Sequence, residues 1–149
     1  MIEGVRVSAL KVHTDSRGSV LHFMRNDSVT FSAFGEVYFS TIINGVVKAW
    51  MRNHLATANF VVPIGSVELV MFDERPDSAT YGVVQRELLG RDSYQGAAVP
   101  PGVWYGFRGL HPGESLIANL LDRPYEPSSN DRLQYPDSRV PFRWPEIEG

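Results

Sequence analysis

The sequence predicts an all-β domain, a sandwich of short strands closed into a jelly roll. Three observations predict it. The chain is rich in Val, Ile and aromatic residues, with 6 Tyr, 8 Phe and 3 Trp, the types that suit a pleated, half-buried surface. Short runs alternate apolar and polar residues and are punctuated by turns drawn from 13 Gly and 10 Pro. No segment carries a 3.6-residue apolar period over helical length, which leaves room for one short helix, near Leu88 or in the tail. At 149 residues the chain is long enough to bury a core and reads as one domain, residues 1–149.

Taken in order, Val5 to Val12 alternates and reads as a first strand. Asp15-Ser16-Arg17-Gly18 is a turn, with Gly18 free to take positive φ. Val20 to Met24 is a short second strand, and Arg25 to Ser32 is a polar loop. Val37 to Ile43 is dense in β-branched and aromatic residues and predicts a strand outright. Asn44-Gly45 follows, the strongest short hairpin signal in the chain.

Gly45 to His54, GVVKAWMRNH, carries polar residues into an apolar region and reads as the strand that bears a site. Strict alternation puts Val47, Ala49, Met51 and Asn53 on one face, and Val46, Lys48, Trp50 and Arg52 on the other. Phe60 to Val62 continues as strand, with a turn at Pro63-Ile64-Gly65. Ser66 to Asp73 is another strand, with Val67, Leu69, Met71 and Asp73 sharing a face. Glu74 to Ser78 is a charged turn, and Tyr81 to Leu88 alternates again. Pro100-Pro101-Gly102 breaks the chain before a strand over Val103 to Arg108, and Ser115 to Leu121 is the last clear strand. From Asp122 the chain is rich in Pro and Tyr and is expected to wrap over the barrel in extended form.

Composition narrows the function. The formal net charge is −3, so no electrostatic footprint for nucleic acid is expected. Among 14 basic residues only Lys11 and Lys48 are lysines; the guanidinium fork of the others suits phosphate and carboxylate. The absence of cysteine excludes disulfides, thiolate catalysis and Cys-ligated metals. No segment has the length and apolarity of a signal peptide or membrane span, so a cytoplasmic, soluble protein is expected, with no membrane partner.

A jelly roll of this kind points to the cupin class, a double-stranded β-helix. A cupin metal site needs a His-x-His pair on one strand, a later carboxylate and a His after a Pro-x-Gly turn. Here the pair reads Met51-x-Asn53, and Tyr105 stands after the Pro-Gly turn. His54 is one residue out of phase and should point away from Met51 unless a bulge intervenes. No metal and no cofactor is therefore expected. His13, His22, His54 and His111 are isolated in sequence; His54, ending the central strand, is the first to consider for chemistry. There is no Gly-rich phosphate loop and no nucleophile signature.

Five colinear motifs together resemble the dTDP-4-dehydrorhamnose 3,5-epimerases, cupin jelly rolls acting on nucleotide sugars. Asp15-Ser16-Arg17-Gly18 is similar to the family's D-x-R-G, and Gly45 to Met51 to its G-V-L-R-G-L-H. Phe72 to Arg75 with Asp77 to Gly82 is similar to V-D-L-R and S-P-T-F-G. Val99 to Phe107 is similar to I-P-x-G-x-A-H-G-F, and Asp137 with Trp144-Pro145 keeps the closing D-to-W-P spacing.

The resemblance implies proton removal beside a ketone by a His held by an Asp, with a Tyr opposite as acid. In this chain the base position falls on Met51, its Asp on Asp137, a second His on Tyr105 and the acid Tyr on Asn119. The Arg beside the enolate falls on Lys48, and the family's Lys falls near Ala58 or Asn59. Thioether sulfur is not a base at neutral pH and a carboxamide is no general acid. Arg17 keeps the position that contacts a nucleotide diphosphate across a dimer interface, with His22 and Val20 beside it, so a homodimer and a dTDP-sugar ligand are implied.

Two functions follow as expectations. One is a metal-independent sugar-nucleotide epimerase or isomerase in which Tyr105, His54 or a buried Asp137 takes over proton transfer, assisted by Lys48. The other is a repurposed or non-catalytic cupin, cyclase-like or accessory, binding a sugar nucleotide or another small metabolite in the same barrel; the surroundings of Met51, Trp50, Trp104 and Tyr105 suit an apolar ligand, with Asn53 and Asn119 as further candidate contacts.

Overall fold

Alternation decides the layering, and strand β7 (Ser66–Asp73) shows it most simply. Val67, Leu69 and Met71 face one way, into a core between two sheets, while Val70 and Phe72 face the other. The computed structural model describes residues 1–146, all-β with twelve strands and no α-helix among them. Besides β7 these are β1 (Arg6–Ala9), β2 (Val12–Asp15), β3 (Gly18–Leu21), β4 (Glu36–Ile43), β5 (Val47–Asn53) and β6 (Ala58–Ile64). After β7 come β8 (Val84–Gly90), β9 (Gln95–Val99), β10 (Val103–Gly109), β11 (Glu114–Leu121) and β12 (Asn130–Arg132).

One five-stranded antiparallel sheet runs β1-β9-β6-β11-β4 and the other β12-β5-β10-β7-β8, packed face to face as a cupin jelly roll. Strands β2 and β3 form a separate hairpin. Phe60, Val62, Ile117 and Leu121 of the first sheet meet Leu69, Met71, Val103 and Phe107 of the second in the main core.

Several expectations shift. The single strand over Val5 to Val12 divides in two: β1 joins β9, whereas β2 turns away into the hairpin. The break falls at Leu10 and Lys11, whose backbone groups bond to Tyr94 and His22. Asn44-Gly45 makes a tight turn, with Val46 N–H donating to Ile43 O at 3.0 Å and Gly45 at φ 78°, but it joins no hairpin. Its flanking strands enter different sheets, β4 beside β11 and β5 beside β10. Pro63 and Ile64 lie within β6, so Gly65 alone makes the bend, at φ 84°. β8 begins at Val84 and carries Leu88 as strand, so the short helix appears only as a 3₁₀ turn at Pro127–Ser129.

The tail does wrap. β12 pairs with β5, and Val140, Phe142 and Trp144 pack on the outer face of the second sheet against Trp50, Val70, Phe72 and Trp104. Trp144 stacks on Trp50 with centroids 5.2 Å apart.

Candidate functional site

The register of the two sheets places two rows of side chains opposite one another. In the first sheet Tyr38, Asn119, Phe60 and Ala97 are successive cross-strand partners. In the second, Arg132, Met51, Tyr105, Met71 and Gln85 are. Phe60 and Tyr105 meet across the gap at 5.1 Å between ring centroids. On the side toward β4, β5 and β12 the rows diverge into an open cavity of about 790 Å³.

A bulge in β5 shapes this cavity. Tyr105 pairs with Met51 and Gly106 with Ala49, leaving Trp50 without a partner on β10. Trp50 instead exchanges both backbone hydrogen bonds with Leu133 of the tail, at 2.9 and 3.1 Å. The extra residue resets the alternation, so Lys48 and Met51, expected on opposite faces, both line the cavity. A Cβ at Gly106 would lie 2.4 Å from Ala49 Cβ, so only glycine lets β10 approach the bulge.

Several of the lining polar groups are held by hydrogen bonds. Tyr105 Oη lies 2.9 Å from Met51 Sδ. Burial pushes its phenol far above the usual range; nearby Tyr38 adds to this and the Asn53 amide opposes it. Tyr105 is therefore a proton-bearing donor at neutral pH. Asn119 Nδ2 donates to Tyr38 Oη at 2.9 Å, and burial raises the Tyr38 phenol too, against that hydrogen bond. Lys48 Nζ crosses between the sheets to Thr41 O at 2.5 Å and Ser40 Oγ at 3.3 Å. Among the described residues Glu36 is the one carboxyl group lining the cavity, and its Oε1 accepts the Tyr125 N–H at 2.9 Å. Among the described residues no group of three or more His, Cys, Asp or Glu is placed to hold a metal ion.

Four of the residues singled out in the sequence thus come together: Lys48, Met51, Tyr105 and Asn119. Asn53 is buried one step further along β5 and lines a smaller adjoining cavity of about 180 Å³. The others lie elsewhere. Trp104 faces away from the cavity, because adjacent strand residues point to opposite faces and Tyr105 faces in. Its Nε1 donates to Glu74 at 2.8 Å and its ring lies under the Arg52 guanidinium, 4.4 Å from the centroid.

His54 is half exposed, with Nε2 2.8 Å from Asp131 Oδ2 and no place on the cavity wall. The bulge that would have turned it inward occurs at Trp50 instead. Asp137 is half-buried rather than buried; it accepts the Arg139 N–H at 2.9 Å and caps a tail turn. Arg17, at the tip of the β2–β3 hairpin, is 88% exposed and bound to its own Asp15 at 2.7 Å. His22 packs its ring on His13, with centroids 5.4 Å apart, outside the cavity.

The chain as a whole has counterparts among known proteins. The chain matches the family described as dTDP-4-dehydrorhamnose 3,5-epimerase over residues 1–148. It belongs to that family.

Its relatives include the Haloferax volcanii "Probable low-salt glycan biosynthesis epimerase Agl13", 34% identical over 99% of this chain and 98% of that one. The Bacillus subtilis "Spore coat polysaccharide biosynthesis protein SpsL" is 30% identical over 97% of both chains. Among solved structures, a dTDP sugar isomerase from Desulfovibrio desulfuricans superposes with a TM-score of 0.94 at 40% identity, covering 96% of this chain and 92% of that one. NovW, a 4-keto-6-deoxy sugar epimerase from Streptomyces spheroides, shares the fold at a TM-score of 0.87 and 22% identity, covering 97% and 76%.

Within this epimerase frame, sequence reasoning missed Tyr38, Glu36, Tyr125 and Arg132 as cavity residues. Tyr38 was accessible to it: alternation along β4 puts Glu36, Tyr38 and Ser40 on one face. Arg132 and Tyr125 were not, since their place depends on how the irregular tail docks.

Proposed function

We propose that the chain is an epimerase- or isomerase-like protein that takes a dTDP-linked 4-keto-6-deoxyhexose, with the sugar in the cavity between the sheets and with acid–base groups changed from the family pattern. The observation that carries this is the convergence of Lys48, Met51, Tyr105 and Asn119, the positions on which the family's enolate-binding and acid–base residues fall, in one cavity. Family membership and the similarity to a dTDP sugar isomerase support it.

Chemically, the cavity offers donors for an oxyanion, the Tyr105 hydroxyl and the Lys48 ammonium, more readily than it offers a base. Met51 supplies none, and Glu36 is the one lining carboxyl group among the described residues. Proton abstraction next to a ketone is therefore expected to be slow, about 10²- to 10⁴-fold below an enzyme with a matched base. The reading includes a homodimer acting in the cytoplasm, in which Arg17 of the hairpin tip would serve a partner's nucleotide site rather than its own.

Incubation with a dTDP-4-keto-6-deoxyhexose in D₂O is expected to give protein-dependent deuterium at the carbons flanking the ketone. A titration with dTDP is expected to show binding. Absence of both exchange and dTDP binding at millimolar concentration would defeat the proposal. The apolar wall of Met51, Phe60, Phe107 and Ile117 favours a second reading, a non-catalytic or cyclase-like cupin. Binding of the nucleotide sugar without deuterium exchange selects its non-catalytic form.

A further inference from the structure

Asn119 is only 2% exposed, yet the two ends of its carboxamide differ sharply. Nδ2 donates to Tyr38 Oη at 2.9 Å, whereas Oδ1 is buried with no hydrogen-bond partner among the described residues. Its surroundings offer none. Phe60 flanks it in register on β6, and Ile117 precedes it on the same face of β11. A buried carbonyl left unpaired is costly, and such groups are rare in folded proteins. Asn119 also lines the cavity, with Oδ1 just beneath the wall rather than on it, so a small turn of the carboxamide presents it to a group entering there. Tyr38 complements it. Its oxygen accepts from Asn119, which leaves its own O–H free to donate, and its phenol stays protonated because burial disfavours the phenolate.

We propose that Asn119 and Tyr38 form a hydroxyl-reading pair: one ring hydroxyl of the bound sugar donates to Asn119 Oδ1 and accepts the Tyr38 O–H. A ketone oxygen has no proton for Oδ1, an ammonium has no lone pair for Tyr38, and a deoxy carbon leaves both unpaired. A hydroxyl satisfies both. It would also satisfy the pair with the amide turned over, since the orphan would then be a donor and a hydroxyl also accepts. The site is thereby selective against deoxy analogues at one ring position, because rejecting an analogue that strands buried polar groups is more effective than fitting its shape. Neither residue needs to move a proton for this role. The inference rests on the sugar-binding reading above.

The test uses dTDP-glucose and its 2-, 3-, 4- and 6-deoxy counterparts, titrated calorimetrically into the wild-type chain, Asn119→Leu and Tyr38→Phe. The 2- or the 3-deoxy compound, the positions that keep a hydroxyl in a 4-keto-6-deoxyhexose, is expected to bind the wild type about tenfold or more weakly than dTDP-glucose, with the difference falling below about threefold in Asn119→Leu. Equal binding of all five compounds by the wild type, or an unchanged preference in Asn119→Leu, would overturn the proposal. Thermal melting without ligand provides an independent arm. Asn119→Leu removes an orphaned amide and is expected to melt at or above the wild type. A fall of more than about 5 °C would identify Asn119 as a structural amide and also overturn the proposal. If dTDP-glucose and dTDP both fail to bind, the sugar-nucleotide reading fails and the proposal falls with it, whereas binding of dTDP-glucose with no deoxy preference overturns the proposal alone.

Discussion

Gly106→Ala is expected to destabilise the fold by about 3 kcal/mol, near the upper end for overpacking in a closed core. The added Cβ would meet Ala49 Cβ at 2.4 Å and Trp50 Cε3 at 3.0 Å. Neither neighbour is the free end of a flexible chain: Ala49 has no rotamer to change, and Trp50 is locked among Trp144, Tyr135 and Phe142. Relief would have to come from the backbone, by sliding β5 against β10 or removing the bulge, and either shift would carry Lys48 off the cavity wall. For a chain of this size the loss corresponds to a fall in Tm of roughly 10 °C. Ala49→Gly in the same chain removes the closest contact and is expected to recover more than half of the loss. A single variant melting within about 2 °C of the wild type would show that the strands tolerate the methyl group and that the bulge is not held in this way.

Asp73→Asn is expected to cost about 3 kcal/mol and to flatten the dependence of stability on acid pH. The Asp73 carboxylate is fully buried and accepts from Arg75 Nε and Nη2, each at 2.9 Å, and from Ser78 Oγ and Thr80 Oγ1, each at 2.6 Å. Arg75 Nη2 reaches on to Glu3 O, at 2.6 Å, so this carboxylate also ties the N-terminal segment to the turn after β7. An amide of the same shape turns an NH₂ toward donors that need an acceptor.

Burial opposes the charge on Asp73, but the hydrogen bonds from Arg75, Ser78 and Thr80 outweigh it and hold the carboxyl far below the usual range. A carboxyl whose pKa is lowered on folding stabilises above its unfolded value, about 3.9, and loses that contribution as pH falls further. The wild-type Tm should therefore decline steeply as pH drops below about 4, with Asp73→Asn declining less over that interval. Parallel curves for the two proteins would count against Asp73 as the origin of the acid sensitivity.

Much of the architecture was legible because it depends on local chemistry. The strands β4, β7, β10 and β11 are dense in apolar residues, β-branched or aromatic in the first three, and their ranges differ from expectation by at most one residue. β9 was not legible, since Gln95-Gly96-Ala97-Ala98-Val99 is mostly small residues with weak strand preference, ordered by neighbours on both sides. The partners of a turn were not legible either. Asn44-Gly45 has hairpin chemistry, but β4 and β5 are each claimed by strands distant in sequence.

The site divides along the same line. Lys48, Met51, Tyr105 and Asn119 could be found through motifs, but not the bulge that joins Lys48 to Met51, because nothing in the alternation of GVVKAWMRNH marks Trp50 as the extra residue. Trp104 and Tyr105, in contrast, were expected in one pocket although neighbours along a strand face opposite ways; that was decidable from the pleat alone. Asp137 and His54 depended on where the tail lands, a matter of long-range packing.

The outer cluster under the tail has an optical consequence. All three tryptophans, Trp50, Trp104 and Trp144, sit together in it, with Trp104 and Trp144 on the far side of the second sheet from the cavity. Trp104 is flanked by Arg52 and Arg139, and Trp144 is seated by the tail itself. Near-ultraviolet dichroism and indole emission should therefore follow the attachment of the C-terminal segment as a built-in gauge. The tail also contributes Leu133 and Arg132 to the cavity wall, so that gauge reads the integrity of the wall from behind.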